Sequence, residues 1–279
     1  MPHLVRLFFG LASIWIGFAS AAQAQSVASP WIDHERAQTR LLAAESGGKM
    51  MGFVEIQMPE GWKTYWRNPG DAGGLPPSFD FSKSENVADA RVLYPAPKRL
   101  ADRAGDTIGY KGRVVFPVEF GMAARDKPVQ LRVAMHFGVC REICVPLEAT
   151  HELTVPPGMV GPADGALAEA LAHIPRTMSE AKPGDPKVER AQVDSYEEPA
   201  RISFSATFPG GSKDADLFVE APEGLYVPMP TRAAGSDGET VTFEAAISSP
   251  AELKQLLGKP LKITLVGGSG QSEAVVTVE

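Results

Sequence analysis

Apolar and polar residues alternate along several stretches of this chain. In Val54-Glu55-Ile56-Gln57-Met58 the apolar side chains take every second place. Val114, Phe116, Val118 and Phe120 form another such row. The longest runs through Val129, Leu131, Val133, Met135, Phe137 and Val139, with Gln130, Arg132, Ala134 and His136 between them. Period two places each row on one face of a β-strand that rests on a core. Asn68-Pro69-Gly70 and Gly73-Gly74 supply turn punctuation between strands. The region from about 50 to 157 therefore predicts a β-sandwich.

Residues 158–187 break this period. Pro156-Pro157-Gly158 ends the strand series. Asp164 stands where it would cap a short helix that carries Leu167, Leu171 and Ile174 on one face and stops near Pro175. Pro183, Gly184 and Pro186 read as linker. Period two then returns. Ile202, Phe204, Ala206 and Phe208 form one row, Val241, Phe243, Ala245 and Ile247 another, and Leu261, Ile263 and Leu265 a third. One helix interrupts them, with Ser249 as N-cap, Pro250 in first position, Leu253, Leu256 and Leu257 inward and Gly258 as the stop. The expected organisation is all-β: a first sandwich over 25–157, a helical linker over 158–187, and a second, smaller sandwich over 188–279.

The N-terminus has a different character. Arg6 is followed by an uncharged run from Leu7 to Ala22, and Ala22-Gln23-Ala24 fits a cleavage site. Residues 1–24 are expected to be a signal peptide. No later stretch is apolar enough to cross a bilayer, so the mature chain is expected to be exported and soluble, without a membrane span. The net charge is −7 and no basic stripe is present, which argues against a nucleic-acid partner. Asp71, Asp80 and Asp89 form no pairing suited to acid–base catalysis, and no Ser-His-Asp spacing, phosphate loop or zinc motif is present.

The chemistry concentrates at the two cysteines, Cys140 and Cys144. An exported protein with a lone, close pair is expected to hold it as a disulfide. So short a loop gains little from being closed, because the entropic benefit of a disulfide grows with loop length. The row ending at Val139 puts Cys140 on the polar face with His136 and Arg132. The next row, Val145, Leu147, Ala149, Leu153 and Val155, puts Cys144 on the same face with Glu148, Thr150 and Glu152. Arg141, Glu142 and Ile143 between them suit a hairpin loop. The two cysteines then face each other across a strand pair, on an outer face where another thiol can reach them. Three readings stay open at this point: a redox pair, an inert staple, and a soft-metal site with His136 and nearby Met135 that would suit Cu(I). Trp62, Tyr65 and Trp66 are either core aromatics or a surface for a partner.

Four segments in order, EGWKTYWRNPGDAGGLPP, LYPAPKR, IGYKGRVVFPV and GVCREICVP, resemble the N-terminal periplasmic domain of the thiol:disulfide interchange protein DsbD. The likeness is strongest to the branch found in the copper-sensitivity suppressor ScsB, and the last third of the chain also resembles the region C-terminal to that domain in the ScsB-like branch. The resemblance implies immunoglobulin-like sandwiches. It also implies a protein-disulfide reductase type of oxidoreductase with no cofactor and no bound metal, and Cys140 and Cys144 as the redox pair. It implies a thioredoxin-like or membrane electron donor acting in trans and a periplasmic client protein that carries a disulfide, with the N-terminal cysteine meeting the client. A flap over Lys98–Tyr110 would shield the cysteines through Leu100, Ile108 or Tyr110, and Asp102 and Asp106 in it are candidates for holding a thiol pKa high. The competing function is a non-enzymatic binding module, for a partner protein or copper, with a structural disulfide.

Overall fold

The computed structural model describes residues 27–101, 105–158, 161–194 and 199–279. The expected signal peptide and Asp102 lie outside them. The strands before the first helix are β1 (Val27–Ala28), β2 (Ile32–His34), β3 (Ala37–Ser46), β4 (Lys49–Gln57), β5 (Lys63–Tyr65), β6 (Ser78–Asp80), β7 (Ala88–Val92), β8 (Lys98–Leu100), β9 (Thr107–Lys111), β10 (Arg113–Gly121), β11 (Val129–Cys140) and β12 (Cys144–Val155). They form two antiparallel sheets. One runs β1-β3-β4-β10-β7, with β2 also on β3; the other runs β12-β11-β5-β9-β8, with β6 also on β11. The rows picked out by period two meet between them. Val54, Ile56, Phe116 and Val118 of one sheet pack against Leu131, Val133, Phe137 and Val139 of the other.

Helix α1 (Gly165–Ala172) packs on the outer face of the first sheet, with Leu167 and Ala170 against Leu42, Phe53 and Val115. Leu171 and Ile174 are only half-buried, because the covered stripe of the helix runs through Leu167 and Ala170. On the same outer face Glu55 is fully buried and held by Arg40 (2.7 Å) and Arg113. A buried carboxylate is tolerated where its charge is paired in this way.

After α1 come β13 (Arg176–Thr177), β14 (Lys187–Asp194), β15 (Arg201–Thr207), β16 (Asp216–Glu220), β17 (Thr231–Arg232), β18 (Thr240–Ala246), α2 (Pro250–Leu256), β19 (Pro260–Gly267) and β20 (Gly270–Thr277). Sheets β13-β20-β19-β16 and β14-β15-β18-β17 enclose a second core of Ile202, Phe204, Val241, Phe243, Leu261 and Ile263. Ser249 caps α2 by accepting the Glu252 amide (3.3 Å), and Leu253 and Leu256 are buried as expected. Leu257 is not inward but 43% exposed. It is the C-cap, and its extended backbone (φ −57°, ψ 132°) turns it off the helical face.

The two sandwiches share a buried contact. Phe218 of β16 belongs to the core of the first sandwich, with its ring 5.9 Å from that of Trp66. Around this pair, Arg67 binds Glu220 (2.6 Å) and Glu273, and Arg99 binds Asp216 (2.9 Å). The molecule is thus an all-β, immunoglobulin-like structure whose second sandwich rests on the loop after β5 and on β8.

Candidate functional site: the disulfide hairpin

Strands β11 and β12 pair in unbroken register from Val129↔Val155 to Cys140↔Cys144. No bulge intervenes, so the parity read from the sequence holds to the end of the strand. His136 faces Glu148, Arg132 faces Glu152, and Cys140 faces Cys144 across the ladder. The cysteines form a disulfide with Cα atoms 4.1 Å apart, and Arg141, Glu142 and Ile143 make the loop.

The two sulfurs do not share one environment. Cys144 is exposed, whereas Cys140 is only 2% exposed. The expectation that both lie open on the outer face is therefore corrected for Cys140, and the cause is what lies on that face. β5 pairs with the end of β11, Cys140 opposite Lys63. Lys63, Tyr65 and Cys140 consequently share the outer side. The Tyr65 hydroxyl sits 2.8 Å from Cys140 Sγ and 3.2 Å from Cys144 Sγ. A disulfide carries no hydrogen, so the tyrosine donates to both.

Two glycines make room for this ring. Gly138 of β11 lies on the same side as Cys140, and a Cβ there would stand 2.9 Å from Leu75 Cβ and 3.3 Å from Tyr65 Cε2. Gly74 has φ +152°, and a Cβ there would overlap the Tyr65 ring. The Gly138 amide donates to Leu75 O (2.9 Å), fastening the loop to β11. The cover over Cys140 is thus Tyr65 together with the segment Gly74–Leu75. Leu75 in this cover is partly open to solvent, and Ile143 (68% exposed) adjoins the open Cys144 in the hairpin loop.

Residues 30–156 match the family described as the N-terminal part of the thiol:disulfide interchange protein DsbD. A solved structure, the N-terminal periplasmic domain of ScsB from Proteus mirabilis, superposes with a TM-score of 0.69 at 21% identity, covering 92% of this chain and 99% of that one. The first sandwich is a DsbD N-terminal-like domain. Residues 173–279 match a family described as a domain of unknown function (DUF8393). No curated protein matched the chain by sequence.

Within the DsbD N-terminal-like domain, the flap residues expected from the resemblance do not form the cover over the sulfurs. Ile108 and Tyr110 lie on the inner face and belong to the core, and Tyr110 donates to Pro95 O (2.7 Å). Burial pushes the Tyr110 hydroxyl well above its ordinary pKa. Leu100 is buried and by register lies on the outer face opposite Thr107, but β9 and β5 separate its strand from β11. Asp106 pairs with Arg99 (3.9 Å). Trp62, Tyr65 and Trp66 are all buried, so they present no surface to a partner. Arg36 stacks over Trp62, and Arg67 over Trp66. His136 is exposed beside Glu148 (3.2 Å). Among the described residues no cluster of three His, Cys, Asp or Glu is placed to hold a metal ion, and no helix is long and apolar enough to cross a membrane.

Sequence reasoning missed Gly74, Leu75 and Gly138 as parts of the site, and it did not connect Tyr65 with the cysteines. The signal for Gly138 was available: a glycine inside a strand marks a close approach by another segment.

Proposed function

We propose that this protein is a periplasmic thiol:disulfide exchange protein that relays electrons through Cys140 and Cys144 to a client disulfide. One observation carries this reading. The disulfide is built asymmetrically, with one sulfur open and the other buried under a hydroxyl donor. A staple needs neither feature.

The chemistry follows from the asymmetry. A donor thiolate attacks the open Cys144 Sγ, forming a donor–Cys144 disulfide. The Cys140–Cys144 bond breaks, and its electron pair leaves on Cys140 Sγ. The Tyr65 hydroxyl, already directed at that sulfur, stabilises the emerging thiolate by a charge-assisted hydrogen bond until it takes a proton. A second donor thiol then attacks the mixed disulfide and releases Cys144 as a thiol. The donor is oxidised by two electrons, and the pair here is reduced by two. The return half runs in reverse. The Cys144 thiolate attacks a client disulfide, Cys140 displaces the client from Cys144, and the client leaves as a dithiol. In this scheme the C-terminal cysteine meets both partners, in place of the N-terminal one expected from the resemblance. The donor is of thioredoxin-like or membrane type and acts in trans.

The test is the reduction potential of the Cys140–Cys144 pair, equilibrated against glutathione. A value between about −180 and −270 mV belongs to exchange proteins, and one below about −300 mV belongs to structural disulfides and would overturn the proposal.

A further inference from the structure

The cover over Cys140 is not held by its own sandwich alone. Tyr65 and Leu75 bracket the loop 66–74. Tyr65 is fixed in β5, and Leu75 is fixed through its carbonyl to Gly138. The first half of the loop is tied to the second sandwich at successive points. Arg67 donates to Glu220 (Nε–Oε1 2.8 Å) and to Glu273. Asn68 Nδ2 donates to Val219 O (3.0 Å). Gly70 lies so close to Met229 that an added Cβ would stand 2.6 Å from its Sδ. Asp71 accepts from the Tyr226 hydroxyl (2.6 Å) and from the Met229 amide (2.9 Å). Three separate parts of the second sandwich converge here: β16, the segment 226–229 and β20. The contact carries one uncompensated cost, because Trp66 Nε1 is buried with no hydrogen-bond partner among the described residues.

We propose that the second sandwich sets the regiochemistry of the disulfide, by clamping the 66–71 segment so that the adjoining cover keeps Cys140 hidden and leaves Cys144 as the one sulfur a partner can reach. Arg67 and Asp71 are positioning residues in this scheme. They touch neither sulfur and act through the loop that ends in Gly74 and Leu75. The inference deepens the exchange reading and rests on it for its biological use, but the geometry stands on its own. Release of the clamp leaves the loop between its two fixed ends held only by its backbone bonds to Ile108 and Asp106 of its own sandwich (Trp66 N to Ile108 O 3.0 Å, Ile108 N to Pro69 O 2.8 Å, Ala72 N to Asp106 O 3.4 Å). A local opening of this kind uncovers Cys140 without unfolding either core.

The full chain tests this directly. The reduced protein is treated with limiting iodoacetamide and digested with trypsin, which cuts after Arg141 and places Cys140 and Cys144 on different peptides. The wild type is expected to be alkylated at Cys144 in preference to Cys140 by about tenfold or more, and Asp71→Ala and Arg67→Ala are expected to bring the two sites within about twofold. Asp71→Asn keeps an acceptor oxygen for Tyr226 and Met229 and should restore most of the preference. Ile202→Val, in the second core but on the sheet that carries none of the clamp residues, controls for general destabilisation and should leave the preference intact. An unchanged ratio in both alanine variants overturns the proposal, and so does an equal loss of preference in Ile202→Val. Alkylation reads the reduced thiols and not the potential, so it reports on the clamp even if the pair proves too reducing to exchange electrons.

Discussion

The two sandwiches follow one building rule, and the first departs from it beside its disulfide. In the second, burial alternates along β15 and β18. Ile202, Phe204 and Ala206 are buried, while Arg201, Ser203, Ser205 and Thr207 between them are half-exposed. The first keeps that rule along most of β11 and then abandons it. Phe137, Gly138, Val139 and Cys140 are all buried, as are all three residues of β5 and Thr107 to Tyr110 of β9. Here the sheet is covered on both faces. A sandwich gains its core from one covered face, so the second cover calls for a separate reason. What it covers is one sulfur of a disulfide.

The sharpest way to break this comparison is to separate the two cysteines. Cys140→Ala leaves the open sulfur, and Cys144→Ala leaves the covered one. With oxidised glutathione the first variant is expected to form a mixed disulfide about a hundredfold faster than the second, because exchange requires access. Mass spectrometry measures both rates, and equal rates would mean that the cover does nothing. Next in size is the contact that joins the sandwiches. Trp66→Ala removes a fully buried indole from the seam against Phe218 and should cost about 3–5 kcal/mol in urea unfolding. A loss below about 1 kcal/mol would show that the seam contributes little to stability.

The first sandwich also carries a titrating group in its core. His151 is 2% exposed, with Nε2 at 2.9 Å from Thr39 Oγ1, and burial together with nearby His34 pushes its pKa down to about 4. It is neutral when folded, whereas the unfolded chain takes up a proton near pH 6.5. Stability is therefore full above that value and declines as pH falls toward 4, by up to about 3 kcal/mol, and levels off below. Denaturant titrations across this range check the slope, and His151→Gln should flatten it. The smallest effect is expected at the covered sulfur. Tyr65→Phe keeps the ring and removes the donor, at about 1 kcal/mol, which slows expulsion of the Cys140 thiolate by roughly fivefold. Stopped-flow reduction by dithiothreitol measures it, and an unchanged rate would confine Tyr65 to packing.

The rows of alternating residues and the cysteine hairpin were legible in the chain because both are local. Period two assigns faces, and the loop of Arg141, Glu142 and Ile143 fixes the register of everything up to Val129↔Val155. What period two cannot show is which distant segment lies over an outer face. Tyr65 reaches sulfurs 75 and 79 residues further along. The resemblance pointed to Lys98–Tyr110 for that cover, but Ile108 and Tyr110 fall on the inner side of β9. Two local departures did carry the information. Gly138 interrupts a strand of large side chains, and Leu217-Phe218-Val219 places three apolar residues in succession where alternation would allow two. Both mark places where a strand is covered on two sides. At Phe218 the second cover is the neighbouring sandwich.

The unbroken ladder that sets Cys140 opposite Cys144 has a kinetic consequence. Cutting the disulfide does not release the hairpin, because the hydrogen bonds of β11 and β12 hold the two residues together without it. In the proposed exchange, a partner captured on Cys144 sits beside a second thiol at very high effective molarity. Ring closure then competes with every other fate of the mixed disulfide, and the partner is soon displaced. A molecule built in this way makes brief covalent encounters, suited to turnover and poorly suited to retention.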